Sequence, residues 1–250
     1  ERFVCGRGSA VAGRVVPEEV FAAVEKNFSS WNGQQSPVAE VVGTLQESPR
    51  STWVTDSASQ LTVQLAFPLP GRESEHALRL RVLRRILSGG VTSRLMLRLR
   101  ETLGLTYNVE ANLSMLAETG ALLIDFMVVP ENLEPAIQEV CAIITDIYHK
   151  PFPEDEFNRV VRNYHYDLDF SNDHPEEMVT RYGWGELVGF VRDIEADRQA
   201  LDLMTADDLA ATVRACLDPK QIRAVVVGPY RPSDQELVEQ FLQQFVDSFS

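Results

Sequence analysis

The chain has 250 residues, 44% of them hydrophobic, with a formal net charge of −14 and a pI near 4.7. That length suits one large domain, or one and a fraction, with a sizeable buried core. The acidic balance argues against a nucleic-acid partner, whose phosphates need a basic face, and no apolar run approaches the length of a membrane span.

Residues 1–12 hold no long apolar core behind a basic lead, so no signal peptide is expected within the chain; one removed before Glu1 stays open. Ser9-Ala10-Val11-Ala12-Gly13 is a short strand candidate, and Pro17 opens a helix over 18–27 at a favoured first-turn position. Residues 29–49, rich in Ser, Gln, Gly and Pro, read as a linker. Strands are predicted over 51–55 and 61–67. The second alternates Leu61, Val63 and Leu65 with Thr62, Gln64 and Ala66, as a half-buried strand does. Pro68-Leu69-Pro70-Gly71 is expected to end it. A helix over 73–87 carries Leu78, Leu80, Val82, Leu83, Ile86 and Leu87 on a broad apolar face and stops at Gly89-Gly90.

The next helix carries Arg94, Arg98 and Arg100. Strands over 107–113 and 121–129 are predicted to form an antiparallel pair around Glu118-Thr119-Gly120. Helices follow over 132–148, 154–169, 175–188 and 206–217, with a break at Pro151 and Pro153. A strand over 222–228 and a helix from Pro232 to about Phe249 close the chain. Clustered strands and helix pairs, without strict βαβ alternation, predict an α+β two-layer fold. One order of elements occurs twice, near residue 9 and near residue 222: a small apolar strand, a glycine, a proline, then an acidic amphipathic helix.

Cys5, Cys141 and Cys216 match no zinc knuckle or Cys-x-x-Cys pair, and Cys141 reads as a small core residue on an apolar helical face. His76, His149, His165 and His174 belong to no His-x-x-Glu-His and no His-Glu-x-x-His. His174 reads as a neighbour of a helix cap, and His165, between two tyrosines, as packed or solvated. Gly89-Gly90 lacks the Lys-Ser/Thr of a phosphate loop, and no Gly-x-Ser-x-Gly elbow is present.

The richest stretch is Arg98-Leu99-Arg100-Glu101-Thr102-Leu103-Gly104-Leu105-Thr106-Tyr107-Asn108. Leu95 and Leu99 share one helical face, and Gly104 is placed to take the left-handed conformation that ends a helix. A helix–stop–strand corner can aim Arg100 and Tyr107 toward one spot. The plainer reading makes Arg100 a surface cation and Tyr107 a half-buried strand aromatic.

Gly89-Gly90, Ser93-Arg94-Leu95, Leu99-Arg100-Glu101 and Gly104-Leu105-Thr106-Tyr107, in that order and spacing, resemble the C-terminal half of the pitrilysin and mitochondrial-processing-peptidase family of inverted zinc metallopeptidases. Looser similarity extends along most of the chain, including 60–71 and Arg223-Ala224-Val225-Val226-Val227-Gly228. The resemblance implies a mostly antiparallel sheet with helices packed on one face. It divides the chain into 1–28, the final strand and helix of a preceding half; 29–49, the linker; and 50–250, the C-terminal half. The chain then reads as a piece of something longer.

The resemblance also implies a division of labour. Zinc sits on an N-terminal half bearing His-x-x-Glu-His, either fused or as a separate partner, and no metal or other cofactor is expected in this chain. The two halves close around an extended peptide substrate. At the matching positions, Arg100 and Tyr107 are the expected catalytic residues, holding the substrate backbone and stabilising the transition state without binding metal. The alternative is a non-catalytic scaffold or peptide-binding subunit, since core subunits of some respiratory complexes resemble the same peptidases; it would hold a chain by strand addition at the sheet edge. Composition reads as bacterial, with periplasm and cytoplasm both open.

Overall fold

A computed structural model of the chain describes residues 9–30 and 50–249. Its elements, in order, are α1 (Pro17–Phe28), β1 (Ser51–Val54), β2 (Leu61–Pro70), α2 (Ala77–Ser88), a π-helix (Met96–Thr102), β3 (Val109–Met115) and β4 (Thr119–Val128). There follow α3 (Leu133–His149), α4 (Glu154–Asp173), α5 (Pro175–Met178), a second π-helix (Val179–Trp184), α6 (Gly185–Leu187) and α7 (Ile194–Asp202). The last are α8 (Ala206–Cys216), β5 (Arg223–Val227) and α9 (Pro232–Asp247). The described residues fall into two compact units, 50–161 with 204–249, and 9–30 with 162–203. Cys5 and most of the predicted linker lie outside the described residues.

The larger unit is built on a five-stranded sheet in the order β1-β5-β2-β4-β3. Only β1 and β5 run parallel; the other neighbours are antiparallel. The alternation on β2 does what period-2 patterning requires. Leu61, Val63, Leu65, Phe67 and Leu69 are buried, with Leu122, Ile124, Phe126 and Val128 of β4 beside them. Apolar faces of α2, α3 and α8 complete that core through Leu83, Ile86, Ile137, Ile144, Leu209 and Val213. Thr205 caps α8 reciprocally with Asp208, whose carboxyl pKa is lowered by the hydroxyl and backbone N–H of Thr205.

The expected stop at Pro68 is corrected, because β2 continues through Pro70. The reason is positional. β5 pairs with β2 only as far as Ala66, and Gly71 N–H donates to Glu118 O on the β4 side. Pro68 and Pro70, three and one residues before Gly71 in the alternation, face the side where β5 has ended, so their missing N–H groups break no ladder. The helix predicted from residue 73 starts instead at Ala77, after a turn closed by Ala77 N–H to Ser74 O. Nor does β3 begin at Tyr107; pairing starts with Val109 opposite Phe126.

In the smaller unit, α1 opens at Pro17 as the sequence predicts. Ser9 to Gly13 is not a strand. A strand needs a neighbour to receive its backbone bonds, and among the described residues of this unit there is none. The single helix predicted over 175–188 is divided into α5, the second π-helix and α6. Within this unit Arg181 and Arg192 share one Asp197 oxygen at 3.1 and 2.7 Å, and Arg192 also reaches the Tyr164 hydroxyl.

Cys141 is buried on α3, as the sequence predicts, and burial pushes its thiol pKa up. Because the thiolate is the reactive form, Cys141 is expected to resist a thiol reagent in a native Cys5→Ser background and to react fully once the protein is unfolded. Cys216, less buried, reacts first, and faster as pH rises through its own elevated pKa. Rapid native labelling of Cys141, read by peptide mass, would contradict this order.

Candidate functional site at the helix–strand corner

The site begins with two leucines. Leu95 and Leu99 are fully buried, which fixes the inner face of the helix that carries the arginines. Over Met96–Thr102 this helix widens into π geometry, a form often met at functional positions. It ends with Gly104 N–H donating to Arg100 O at 3.1 Å and Leu105 N–H to Leu99 O at 2.8 Å. Gly104 takes φ of 60° at this stop, a left-handed conformation that glycine adopts without strain.

The three arginines of the helix have different surroundings. Arg94 donates to both carboxylate oxygens of Glu156, at 3.0 and 2.6 Å, and lies over the Phe152 ring. Arg98 donates to both oxygens of Glu139, at 2.7 and 3.0 Å, and this pairing pushes its pKa up. Planar two-point pairing of this kind holds a guanidinium in one orientation. Arg94 thus ties the helix to α4 and Arg98 ties it to α3, so both act within the unit.

Arg100 meets the neighbouring Glu101 at 3.3 Å, and its Cζ lies 4.7 Å from the centre of the Tyr107 ring. Tyr107 is 82% exposed. The plainer reading of Tyr107 as a half-buried strand aromatic therefore does not hold: the residue precedes β3, in a bend, with its ring in solvent. Among the described residues, no hydrogen bond to the Tyr107 hydroxyl is present. A guanidinium and a phenol, stacked cation to face, can each donate to an incoming carbonyl oxygen.

Two residues that sequence reasoning did not single out hold the corner. Thr106, 7% exposed, places its Oγ1 2.6 Å from Met127 O and 2.9 Å from Asn108 O. Asn132 Nδ2 donates to Leu105 O at 3.1 Å. An isolated Thr or Asn carries no periodic signal; an Asn preceding a helix is the only hint, and it suggests a cap.

The histidines are dispersed. His76 Nδ1 lies 3.2 Å from Thr212 Oγ1, His165 Nε2 lies 3.1 Å from Asp202, and His149 stacks on Phe249. His174 precedes α5 at its cap position. Among the described residues, no group of three or more His, Cys, Asp or Glu side chains could hold a metal ion. These residues do not fit a zinc site. No helix among them is long and apolar enough to cross a membrane.

An α+β fold with an Arg–Tyr pair at its helix–strand corner, and with its imidazoles scattered, is the class that this structure defines. The family model described as Peptidase M16 inactive domain matches residues 9–164, and the chain belongs to that family. An uncharacterized zinc protease of Mycobacterium leprae is 31% identical over 225 residues, 88% of this chain and 50% of that protein. The chain thus spans about half the length of the curated relatives it matches. Among solved structures, a protease from Helicobacter pylori shares the fold with a TM-score of 0.76 at 16% identity, over 87% of this chain and 54% of that one. A chain of complex III2 from Candida albicans shares it with a TM-score of 0.65 at 12% identity, over 90% of this chain and 57% of that one.

Proposed function

We propose that this chain is the substrate-clamping, non-zinc half of a zinc metallopeptidase, acting with a second half that bears His-x-x-Glu-His. In this reading 1–28 are the tail of that preceding half, 29–49 the linker, and 50–250 the clamping half. The observation that carries it is the Arg100–Tyr107 stack at the helix–strand corner, with Tyr107 82% exposed, while Arg94 and Arg98 are each held by two-point pairing to a carboxylate of another helix.

Each residue has a distinct task. The Tyr107 hydroxyl donates to the carbonyl oxygen of the bond being cleaved, where negative charge grows in the transition state. The Arg100 guanidinium donates to a neighbouring backbone carbonyl and sets the register of an extended peptide. Their stack restricts the rotation of both side chains before substrate arrives. Zinc on the other half would supply the activation of water; the residues of this chain bind, orient and stabilise charge.

The test mixes this chain with a separate zinc-bearing half and follows cleavage of a fluorogenic peptide. Neither protein alone is expected to cleave, and activity that appears in the mixture should fall with Arg100→Ala and with Tyr107→Phe. Activity indifferent to both substitutions would favour the scaffold reading and leave the pair as architecture. Hydrolysis by this chain alone at enzyme-like rates would sink the proposal outright.

A further inference from the structure

Tyr107 poses a mechanical problem. The residue is 82% exposed, so burial cannot hold it in place. It follows Gly104, the residue of its corner with the most backbone freedom, and precedes the first paired residue of β3. A group that must meet a reacting oxygen within a fraction of an ångström needs a firmer anchor than this.

The anchor on the page is Thr106. Its side chain is nearly buried, and its hydroxyl lies between two backbone carbonyls. One is Asn108 O, on the far side of Tyr107 in sequence; the other is Met127 O, at the end of β4. The hydroxyl has one proton, and the shorter contact, 2.6 Å to Met127 O, marks the better acceptor. Tyr107 is therefore bracketed: its preceding residue is pinned to the sheet, and its following carbonyl sits against the same hydroxyl. Asn132 holds the approach to the corner by donating to Leu105 O.

We propose that Thr106 is the positioning residue for Tyr107, and that its hydroxyl, rather than its methyl group, does this. The inference rests on the clamping role given to Tyr107 above, and it takes no part in the chemistry itself. Valine is nearly isosteric with threonine but cannot donate, so Thr106→Val removes the bond while filling the space. Serine keeps the donor.

The experiment has two readouts. In the first, 3-fluorotyrosine is incorporated into the chain alone and its ¹⁹F spectrum recorded, with the Tyr107 line assigned by its loss in Tyr107→Phe. The expected result is that Thr106→Val shifts or broadens the Tyr107 line, that Thr106→Ser leaves it near its wild-type position, and that the lines of the other five tyrosines stay put as a control on folding. An unmoved Tyr107 line in folded Thr106→Val overturns the proposal, as does a Thr106→Ser line displaced as far as that of Thr106→Val. In the second readout, the chain is paired with its zinc-bearing half. Thr106→Val is expected to lower kcat about ten- to a hundredfold with little change in KM, and Thr106→Ser to restore most of it. A shifted fluorine line with an unchanged kcat keeps the anchor and overturns the catalytic role of Tyr107, so the two readings fail separately.

Discussion

Replacing Tyr107 with Phe is expected to lower kcat of the reconstituted peptidase by about 10²- to 10³-fold, the usual cost of losing one donor to a developing oxyanion. KM should change little, because the hydroxyl is worth most in the transition state rather than in the bound substrate. Stability should not change either. Tyr107 is 82% exposed, and Phe keeps the face over which the Arg100 guanidinium lies. That combination separates a chemical role from a structural one. Arg100→Ala is expected to behave differently, raising KM as well as lowering kcat, since a backbone clamp acts on bound substrate and transition state alike. Steady-state kinetics on the paired halves, beside thermal melts of each variant, checks both statements. A Tyr107→Phe variant that melts early and loses activity in proportion would place the hydroxyl in the fold rather than in the reaction.

Replacing Phe67 with Ala is expected to destabilise the larger unit by about 3–5 kcal/mol. Phe67 is fully buried on β2, which lies between β5 and β4, and it stands opposite Leu122. Truncation removes the ring and leaves a void among Leu65, Leu122 and the helices above, which a paired strand cannot collapse to fill. Domains of ordinary stability retain only about 5–15 kcal/mol, so the loss takes a large share of the margin. Thr62→Ala, on the open face of the same strand, should stay within about 0.5 kcal/mol. Urea unfolding of both variants decides the matter, and similar midpoints for the two would contradict the burial pattern.

The reach of sequence reasoning follows from how local each cause is. The alternation of β2, the β3–β4 pairing and the apolar face of α3 are consequences of short periodicities, and all are legible without coordinates. The passage of β2 through Pro68 and Pro70 is not, because it depends on where β5, more than a hundred and fifty residues away, stops pairing. Likewise the start of β3 depends on which residue first meets Phe126, and this left Tyr107 outside the strand predicted to contain it. The strand proposed at Ser9 fails for a related reason: strand propensity produces no strand without a partner.

The candidate site divides in the same way. An ordered motif singles out Arg100 and Tyr107, and their spacing about Gly104 points to a shared corner. No periodicity distinguishes Arg100 from Arg94 and Arg98 on the same helix. The distinction comes from Glu156 and Glu139, carboxylates that tertiary packing brings alongside two of the three arginines.

By itself, then, the sequence determined the family, the α+β order of elements and the absence of His-x-x-Glu-His from these 250 residues. The tertiary structure decided which two arginines pair with carboxylates of other helices and which lies against Tyr107, that Tyr107 stands in solvent rather than in a strand, and that Thr106 and Asn132 hold the corner beneath it. Composition and motif are properties of neighbours along the chain, whereas ion pairs, strand ends and buried hydroxyls are settled by groups that meet only after the chain has folded.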